Sequence, residues 1–261
     1  MSHYPAELEL ESPFGDFRVP VEHSLIVPPV DVLWVTVKST QLEAALAALP
    51  TAEEIRAIVP LLNGIEHVAA LQARYGAERV IPATIAVEAE RVAPGKFVHR
   101  SPFANLNVAA SGKPLLGDSV GRLSQLGFTC RFVEDEPTLL WSKLVFLAPL
   151  ALATTASART VGQVLSHNEW RQKLFACVRE AGAVAVAEGA KVDPESVIAT
   201  ISGLPPFLRS SMQKDVEQGR APELDAIAGA ILRAADRHHL EVPVTRELVS
   251  EIAIRVSSPR I

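Results

Sequence analysis

Residues 32–37 read Val32-Leu33-Trp34-Val35-Thr36-Val37, an unbroken run of apolar and β-branched side chains. Such a run predicts a parallel strand that is covered on both faces. The pattern Thr40-Gln41-Leu42-Glu43 follows, and it is typical of a capping box, in which the Thr hydroxyl and the Glu carboxylate bind the free amides of a helix start. We therefore predict a strand and then a helix that continues through Leu49.

The same order of elements repeats further along the chain. A second box at Thr51–Glu54 precedes the apolar run Ile58–Leu62, the turn Asn63-Gly64 and a helix that ends near Gly76. Alternating strands and helices predict a parallel sheet, to which short strands add a mixed or antiparallel extension. The further strands are predicted within residues 7–21 as a hairpin, and at 81–87, 97–99, 106–109 and 128–133, with a Pro94-Gly95 turn and a short helix before Leu126.

The sequence becomes wholly helical after Glu134-Asp135-Glu136-Pro137, where acidic residues and a proline favour a helix start. We predict an α/β domain over residues 1–134 and an all-helical domain over residues 135–261. The predicted helices are Leu139–Ala158 with a kink at Pro149, Trp170–Gly189, Pro194–Ile201, Pro206–Gln218, Glu223–His239 and Val244–Val256.

Composition excludes several classes of function. The formal net charge is −5, without the concentrated basic surface that binds nucleic acid. No apolar run reaches the roughly 20 residues that span a bilayer, and the first residues lack the apolar block of a signal peptide. We therefore expect a cytoplasmic protein that binds neither nucleic acid nor membrane. Cys130 and Cys177 are predicted to be reduced, partly buried apolar side chains.

Three polar residues lie where such a fold binds ligands. Lys38 and Asn63 directly follow predicted strands, at the edge of an α/β sheet where cofactors bind, although a strand-end lysine is usually solvated and Asn-Gly is usually only a turn. Lys143 lies in an apolar helix and either extends to the surface or faces a cleft. In a cleft, desolvation would lower its pKa and make it a proton donor.

The pair His238-His239 indicates only a helix-end contact, and no metal site or serine-hydrolase elbow is predicted.

Taken together, the motifs resemble the ketopantoate reductases, NADPH-dependent 2-dehydropantoate 2-reductases of pantothenate biosynthesis. The resemblance extends over nearly the whole chain, and it is the order of the motifs that makes it specific. The matching segments are Val35–Gln41, Leu62–Gly64, Ala93–Gly95, Leu140–Leu144, Ser210–Asp215 and Glu223–Asp225.

The resemblance implies a Rossmann-like NADP(H)-binding domain, a helical substrate domain and the roles of individual residues. By this resemblance Lys143 protonates the substrate's oxygen during reduction. Lys38 and Asn63 line the cofactor, and Ala89 offers it a backbone contact. Ser211 holds the substrate together with Asn63, and Glu223 contacts substrate or nucleotide. The substrate is a small oxo acid, and the helical half is expected to form a homodimer.

Two departures from the family follow from the residues. A member should open with a strand, a Gly-x-Gly-x-x-Gly turn and a helix, but Met1 falls near the end of the second strand. We expect that the true start lies upstream, with loss of ordinary nucleotide binding as the alternative. Where the family places asparagines that bind the oxo acid, this chain has apolar side chains, which favours a less polar substrate than ketopantoate. These side chains are Leu147, Ala151, Val161, Leu208 and Ala228.

Two hypotheses follow. The first is a reductase of the ketopantoate type, acting on ketopantoate or a related ketone. The second is a non-catalytic paralogue or truncated form that binds a small acid or a protein partner without cofactor. The first requires the ammonium of Lys143 to face a cleft, opposite the Asn63 turn and the carboxylate of Glu223.

Overall fold

The computed structural model describes residues 5–24, 27–47, 49 and 55–257. These residues belong to two compact units. Unit 1 comprises Met1–Val37, Gln41–Leu61 and Ala70–Glu134, whereas unit 2 comprises Lys38–Thr40, Leu62–Ala69 and Asp135–Ile261. Unit 2 thus contains the helical half together with two short segments that follow strands of unit 1.

Unit 1 is an α/β structure. Its strands are β1 (Glu7–Glu11), β2 (Phe17–Pro20), β3 (Val30–Val35), β4 (Ile55–Pro60), β5 (Ala83–Ala86), β6 (Ala89–Ala93), β7 (Lys96–His99), β8 (Asn105–Ala109) and β9 (Thr129–Val133). Its helices are α1 (Leu42–Leu46), α3 (Lys113–Gln125) and the second part of α2 (Glu66–Tyr75).

The strands of unit 1 form parallel and antiparallel pairs. β3 and β4 are parallel, with Val35 opposite Pro60. β8 pairs antiparallel with β5 and parallel with β9, and a separate sheet has the order β2-β1-β7-β6. Ile55, Ala57, Ile58 and Val59 of β4 are fully buried, so this strand forms the centre of the core. The predicted α/β fold with a mixed extension is confirmed.

Several predictions for unit 1 are wrong in detail. β3 is only partly buried except at Val35, because β4 is its one hydrogen-bonded neighbour among the described residues. The capping box at Thr40 does not form: Ser39–Gln41 is a 3₁₀ turn, and α1 begins at Leu42 without a side-chain cap. The second box at Thr51–Glu54 lies outside the described residues. β6 was not predicted, because Ala89–Ala93 has neither strict alternation nor an apolar run.

Unit 2 is helical. Its helices are α4 (Glu136–Ser157), α5 (Val161–Ser166), α6 (Asn168–Ala187), α7 (Pro194–Ser202), α8 (Ser211–Glu217), α9 (Ala230–Arg237) and α10 (Pro243–Ser257), with a π-helical turn at Asp225–Gly229 and the first residues of α2. Asp135 caps α4 by accepting from the backbone N–H of Thr138 at 3.1 Å. The apolar faces of α4, α6 and α10 enclose one core in which Val145, Leu174 and Leu248 are fully buried.

Three predictions for unit 2 need correction. The helix predicted from Pro206 begins only at Ser211, because the buried hydroxyl of Ser210 accepts from the backbone N–H of Gln213 and fixes the start there. α5 was not predicted, although Thr160 and Gln163 form a complete capping box. His238 is not simply a dipole contact, since its Nε2 lies 2.8 Å from Oε1 of Glu188. The predicted kink at Pro149 stays a prediction.

Helix α4 is longer and more apolar than the sequence analysis allowed. The most apolar stretch of its 22 residues has a mean hydropathy of 1.6, so by length and composition the helix could cross a membrane. This corrects the expectation that no segment would. Of that stretch, 67% is buried inside the protein. Burial of this kind is what a core helix of a folded domain shows.

Candidate active site

A buried carboxylate, that of Glu223, organises the polar residues of unit 2. Its side chain accepts three hydrogen bonds, and the residue is only 8% exposed. Oε1 accepts from the backbone N–H and the hydroxyl of Ser39, both at 2.8 Å, and Oε2 accepts from Nδ2 of Asn63 at 3.1 Å. These donors replace the water that the carboxylate loses on burial. Three segments far apart in sequence therefore meet at Glu223.

The turn that carries Asn63 approaches the backbone beyond Glu223 very closely. Gly64 has a φ of +82°, and a Cβ atom built there would lie 2.2 Å from the carbonyl oxygen of Ala226. Ala226 lies in the π-helical turn that follows Glu223. Only glycine permits both the backbone conformation and this approach. Local backbone geometry therefore places the Asn63 amide beside the Glu223 carboxylate.

Lys143 lies in the second turn of α4, beside the buried residues Trp141 and Leu144. Burial lowers the pKa of Lys143 to about 8, and the negative charge of Glu223 offsets part of this effect. Among the described residues we find no hydrogen-bond acceptor for its ammonium. A lysine in this state gives up a proton near neutral pH far more readily than an ordinary one.

His67, in the first turn of α2, is a further polar group close to these charges. The residue is 8% exposed, and its Nε2 is buried without a hydrogen-bond partner among the described residues. Burial and, to a smaller extent, the charge of Lys143 lower the pKa of His67 to about 4, while the charge of Glu223 acts in the opposite direction. The imidazole is therefore neutral at physiological pH.

Lys38 is engaged by the protein itself. Its Nζ donates to Oδ2 of the buried Asp215 at 2.7 Å, and Nε of Arg220 donates to Oδ1 of the same carboxylate at 2.7 Å. Lys38 remains 43% exposed on its side chain. The predicted cofactor contact of Lys38 therefore requires the ammonium to share its hydrogen bonds between Asp215 and a ligand.

The two serines at the start of α8 differ. Ser211, predicted to hold the substrate, is exposed at the first position of the helix. Ser210 is buried, and its hydroxyl lies 2.8 Å from that of Thr154 on α4. Ser210 thus has a structural role as helix cap and interhelical contact. Binding of substrate by Ser211 stays a prediction.

The remaining predicted residues are placed as follows. Ala89 is an exposed residue at the start of β6 in unit 1, not in a loop after a longer strand. The other site candidates, Lys38, Asn63, Lys143, Ser211 and Glu223, all belong to unit 2. Of these, the structure links Asn63, Lys143 and Glu223, by a hydrogen bond and by the charge of the carboxylate. The five apolar residues predicted to replace the family's asparagines pack in or against the core: Ala151, Val161 and Ala228 are buried, and Leu147 and Leu208 partly so.

Comparison with known proteins gives the family. The profile described as ketopantoate reductase PanE/ApbA matches residues 6–111, and its C-terminal counterpart matches residues 138–255. A 2-dehydropantoate 2-reductase of Caulobacter vibrioides is 31% identical over 229 residues, which are 85% of this chain and 76% of the relative. The chain belongs to the ketopantoate reductase family. It spans about three quarters of that relative's length.

Solved structures of ketopantoate reductase type share the fold. A family member from Ralstonia eutropha JMP134 superposes with a TM-score of 0.84 at 25% identity, covering 95% of this chain and 84% of the other. A D-mandelate dehydrogenase, solved with NADH and anilino(oxo)acetate, superposes at 0.82 with 19% identity and the same coverage. The Rossmann-like domain followed by a helical domain, predicted from the sequence, is thereby confirmed.

Three of the polar residues described above, Ser39, His67 and Asp215, were not singled out from the sequence. Ser39 and Asp215 lie inside motifs that were quoted for the resemblance, but neither residue type stands out in a sequence. His67 lies four positions after Asn63 in the sequence. This proximity to a predicted ligand-binding turn is the feature of the sequence that could have pointed to His67. Its burial depends on packing that the local pattern does not show.

Proposed function

We propose that the protein reduces a 2-oxo acid to the 2-hydroxy acid with a reduced nicotinamide cofactor. The observation that carries the proposal is the ammonium of Lys143, which has a lowered pKa, no acceptor among the described residues, and the Glu223 carboxylate near it. Membership of the ketopantoate reductase family supports the reaction class. Reduction of 2-dehydropantoate, a step of pantothenate biosynthesis, is the first candidate.

The residues present fit a nicotinamide cofactor. Asn63 uses Nδ2 to bind Glu223, and its Oδ1 has no donor among the described residues, so this oxygen can accept from the carboxamide or a ribose hydroxyl. Lys38 and Glu223, which belong to the same unit as Asn63, would complete the contacts, and the backbone contact of Ala89 stays a prediction. When bound, the reduced nicotinamide supplies a hydride to the carbonyl carbon of the oxo acid. A protein of the same fold was solved with NADH, whereas we expect NADPH to be preferred here.

The chain's own residues supply the proton and the position. Lys143 donates a proton to the carbonyl oxygen as negative charge develops there, so the carbon gains a C–H bond and the oxygen an O–H bond. The neutral amine then takes a proton from water. The carboxylate of Glu223 places a negative charge near the Lys143 ammonium, and it orients the Asn63 amide by accepting its hydrogen bond. Because its oxygens already accept from Ser39 and Asn63, Glu223 acts on Lys143 through its charge.

The substrate follows from the apolar residues near the motifs. Leu147, Ala151, Val161, Leu208 and Ala228 offer no side-chain hydrogen bonds to the hydroxyl or carboxylate of ketopantoate. We infer that an oxo acid with a less polar side chain is reduced at least as well as ketopantoate. Ser211, exposed at the start of α8, remains available for its carboxylate. We further propose a cytoplasmic protein that forms a homodimer through its helical unit.

The test is an assay of purified protein. NADPH and NADH oxidation is followed at saturating cofactor with ketopantoate, pyruvate, 3-methyl-2-oxobutanoate and phenylglyoxylate. Lys143→Ala should lower kcat by about 10² to 10⁴, the usual contribution of a general acid. Ser142→Ala, a change at the exposed neighbour, is the matched control and should leave kcat within about two-fold. Absence of turnover with every oxo acid, or an unchanged kcat in Lys143→Ala, would contradict the proposal.

A further inference from the structure

A buried nitrogen in unit 2 has no hydrogen-bond partner within the part of the chain that the structure describes. Nε2 of His67 is buried, and the residue is 8% exposed. Buried polar atoms in proteins are nearly always paired, and those left unpaired at a site are frequently paired by the ligand. The other buried atoms without a partner among the described residues are Oη of Tyr75, Oγ1 of Thr155 and Oε1 of Gln213. The charges of both Lys143 and Glu223 act on His67.

The backbone that carries His67 is held firmly. The preceding residue, Glu66, forms a two-point ion pair with Arg233 of α9, at 2.9 Å from Nε and 2.5 Å from Nη2. Arg233 also donates from Nη1 to Oδ1 of Asp225 at 2.7 Å. On the other side, Asn63 is bound to Glu223 and Gly64 is fixed against Ala226. The backbone of the first turn of α2 is therefore held in place on both sides of His67.

The two polar groups left without partners are complementary to an oxo acid. Lys143 offers a cationic donor, and His67, neutral at physiological pH, offers one N–H donor when its proton is on Nε2. The Glu223 carboxylate already accepts three hydrogen bonds, from Ser39 and Asn63. A 2-oxo acid has adjacent carbonyl and carboxylate oxygens, and each can accept one of these two hydrogen bonds.

We propose that His67 is a substrate-binding residue whose Nε2–H donates to an oxygen of the 2-oxo acid while Lys143 binds the carbonyl oxygen. This inference rests on the proposed function for its substrate class. It assigns to a neutral imidazole part of the binding that the apolar residues at positions 147, 151, 161, 208 and 228 do not supply. His67 thus selects the oxo-acid group, and the apolar surroundings select the side chain.

The kinetic test compares two variants of His67. Leucine removes the donor, whereas glutamine carries an N–H close to the position of Nε2. His67→Leu should raise KM for the oxo acid about 10- to 100-fold, with KM for the cofactor unchanged within about two-fold. His67→Gln should restore KM for the oxo acid to within about five-fold of the wild type. His238→Gln, a change at a partly exposed histidine paired with Glu188, is the control and should alter neither constant.

A stability measurement separates binding from a structural role. Replacing a buried nitrogen that has no partner by an apolar side chain should leave the melting temperature of the free protein unchanged or raise it. A structural hydrogen bond of His67 would instead make His67→Leu melt earlier. A lower melting temperature together with an unchanged KM for the oxo acid would overturn the proposal.

A binding measurement keeps the inference independent of turnover. Oxamate, an unreactive analogue of a 2-oxo acid, is titrated calorimetrically into wild type and His67→Leu, with and without NADPH. Weaker binding by at least about ten-fold in His67→Leu supports the role of His67 even if no oxo acid is reduced. Turnover with equal oxamate affinity and equal KM in both proteins overturns the role of His67 and leaves the reductase intact. Absence of oxamate binding to the wild type overturns it as well.

Discussion

Two lysines of the helical unit have opposite environments. Lys143 of α4 has no acceptor for its ammonium among the described residues, and burial lowers its pKa to about 8. Lys173 of α6 lies 3.0 Å from Glu247, 3.1 Å from Glu251 and 3.5 Å from Glu169. Burial acts to lower the pKa of Lys173, but its hydrogen bonds with Glu247 and Glu251 outweigh this effect and raise the pKa.

The comparison shows how one fold assigns chemistry to one of two similar residues. Both lysines are on long helices and both are largely covered by protein, so burial alone does not separate them. The two lysines differ in whether the nearest carboxylates are hydrogen-bonded to the ammonium. Those around Lys173 bind its ammonium directly, whereas Glu223 is occupied by Ser39 and Asn63 and reaches Lys143 only through its charge.

The largest expected difference between the two lysines is in their reactivity as amines. At pH 8 about half of Lys143 is neutral, against about 0.4% for a lysine with the ordinary pKa of about 10.4, and less for Lys173. Trinitrobenzenesulfonate at pH 8 should therefore label Lys143 faster than Lys173 by one to two orders of magnitude. Peptide mapping by mass spectrometry measures the two rates. Equal rates would show that the comparison is wrong.

A smaller difference between the two lysines is expected in the free energy of unfolding, on which their replacement should have effects of opposite sign. The folded-state pKa of Lys143, about 8, lies below its unfolded value of about 10.4, so its charge destabilises the fold at pH 7, and this cost disappears as the pH rises from 8 to 10.4. The pKa of Lys173 is raised, so its ion pairs stabilise the fold below pH 10.4, and that contribution is lost as the pH rises further. Lys143→Met should raise the free energy of unfolding at pH 7 by about 1 to 2 kcal/mol, and Lys173→Met should lower it by about 1 kcal/mol.

Urea unfolding of both variants at pH 7 and pH 10 checks this prediction. At pH 10 the gain from Lys143→Met should be much reduced, whereas the loss from Lys173→Met should persist. A stability loss in both variants at pH 7 would mean that the ammonium of Lys143 has a partner in the folded protein.

The smallest expected effect is a shift in the titration of Lys143. The charge of Glu223 raises the pKa of Lys143, so Glu223→Gln should lower it below 8, by less than about one pH unit. The pH dependence of labelling at Lys143 measures this shift without relying on activity. Glu251→Gln is the matched control on the other lysine, and it should leave the titration of Lys143 unchanged.

Most of the fold was predictable because strands and helices follow local periodicity. The strand preceding Lys38 and helix α4 were found within a few residues of their bounds. The failures occurred where tertiary contacts outweigh local patterns. At Ser39–Gln41 the backbone amide and the hydroxyl of Ser39 donate to Glu223, and a 3₁₀ turn forms where the capping box at Thr40 was predicted.

The site was predictable only in part, for a similar reason. Lys143 could be recognised because a lysine in an apolar helix is unusual, and Asn63 because it follows a strand. The hydrogen bonds of Glu223 and the unpaired nitrogen of His67 depend on residues more than 100 positions apart, as the contacts of Glu223 with Ser39 and Asn63 show. No local pattern encodes such contacts.

The close approach of Gly64 to Ala226 has a consequence for changing this enzyme's substrate in the laboratory. Directed evolution can vary the apolar side chains at 147, 151, 161, 208 and 228, because each can be exchanged for another of similar volume. Position 64 offers no such freedom, since even a methyl group would push the two chain segments apart. Libraries that spare this glycine should retain the fold, whereas those that randomise it should yield mostly destabilised clones.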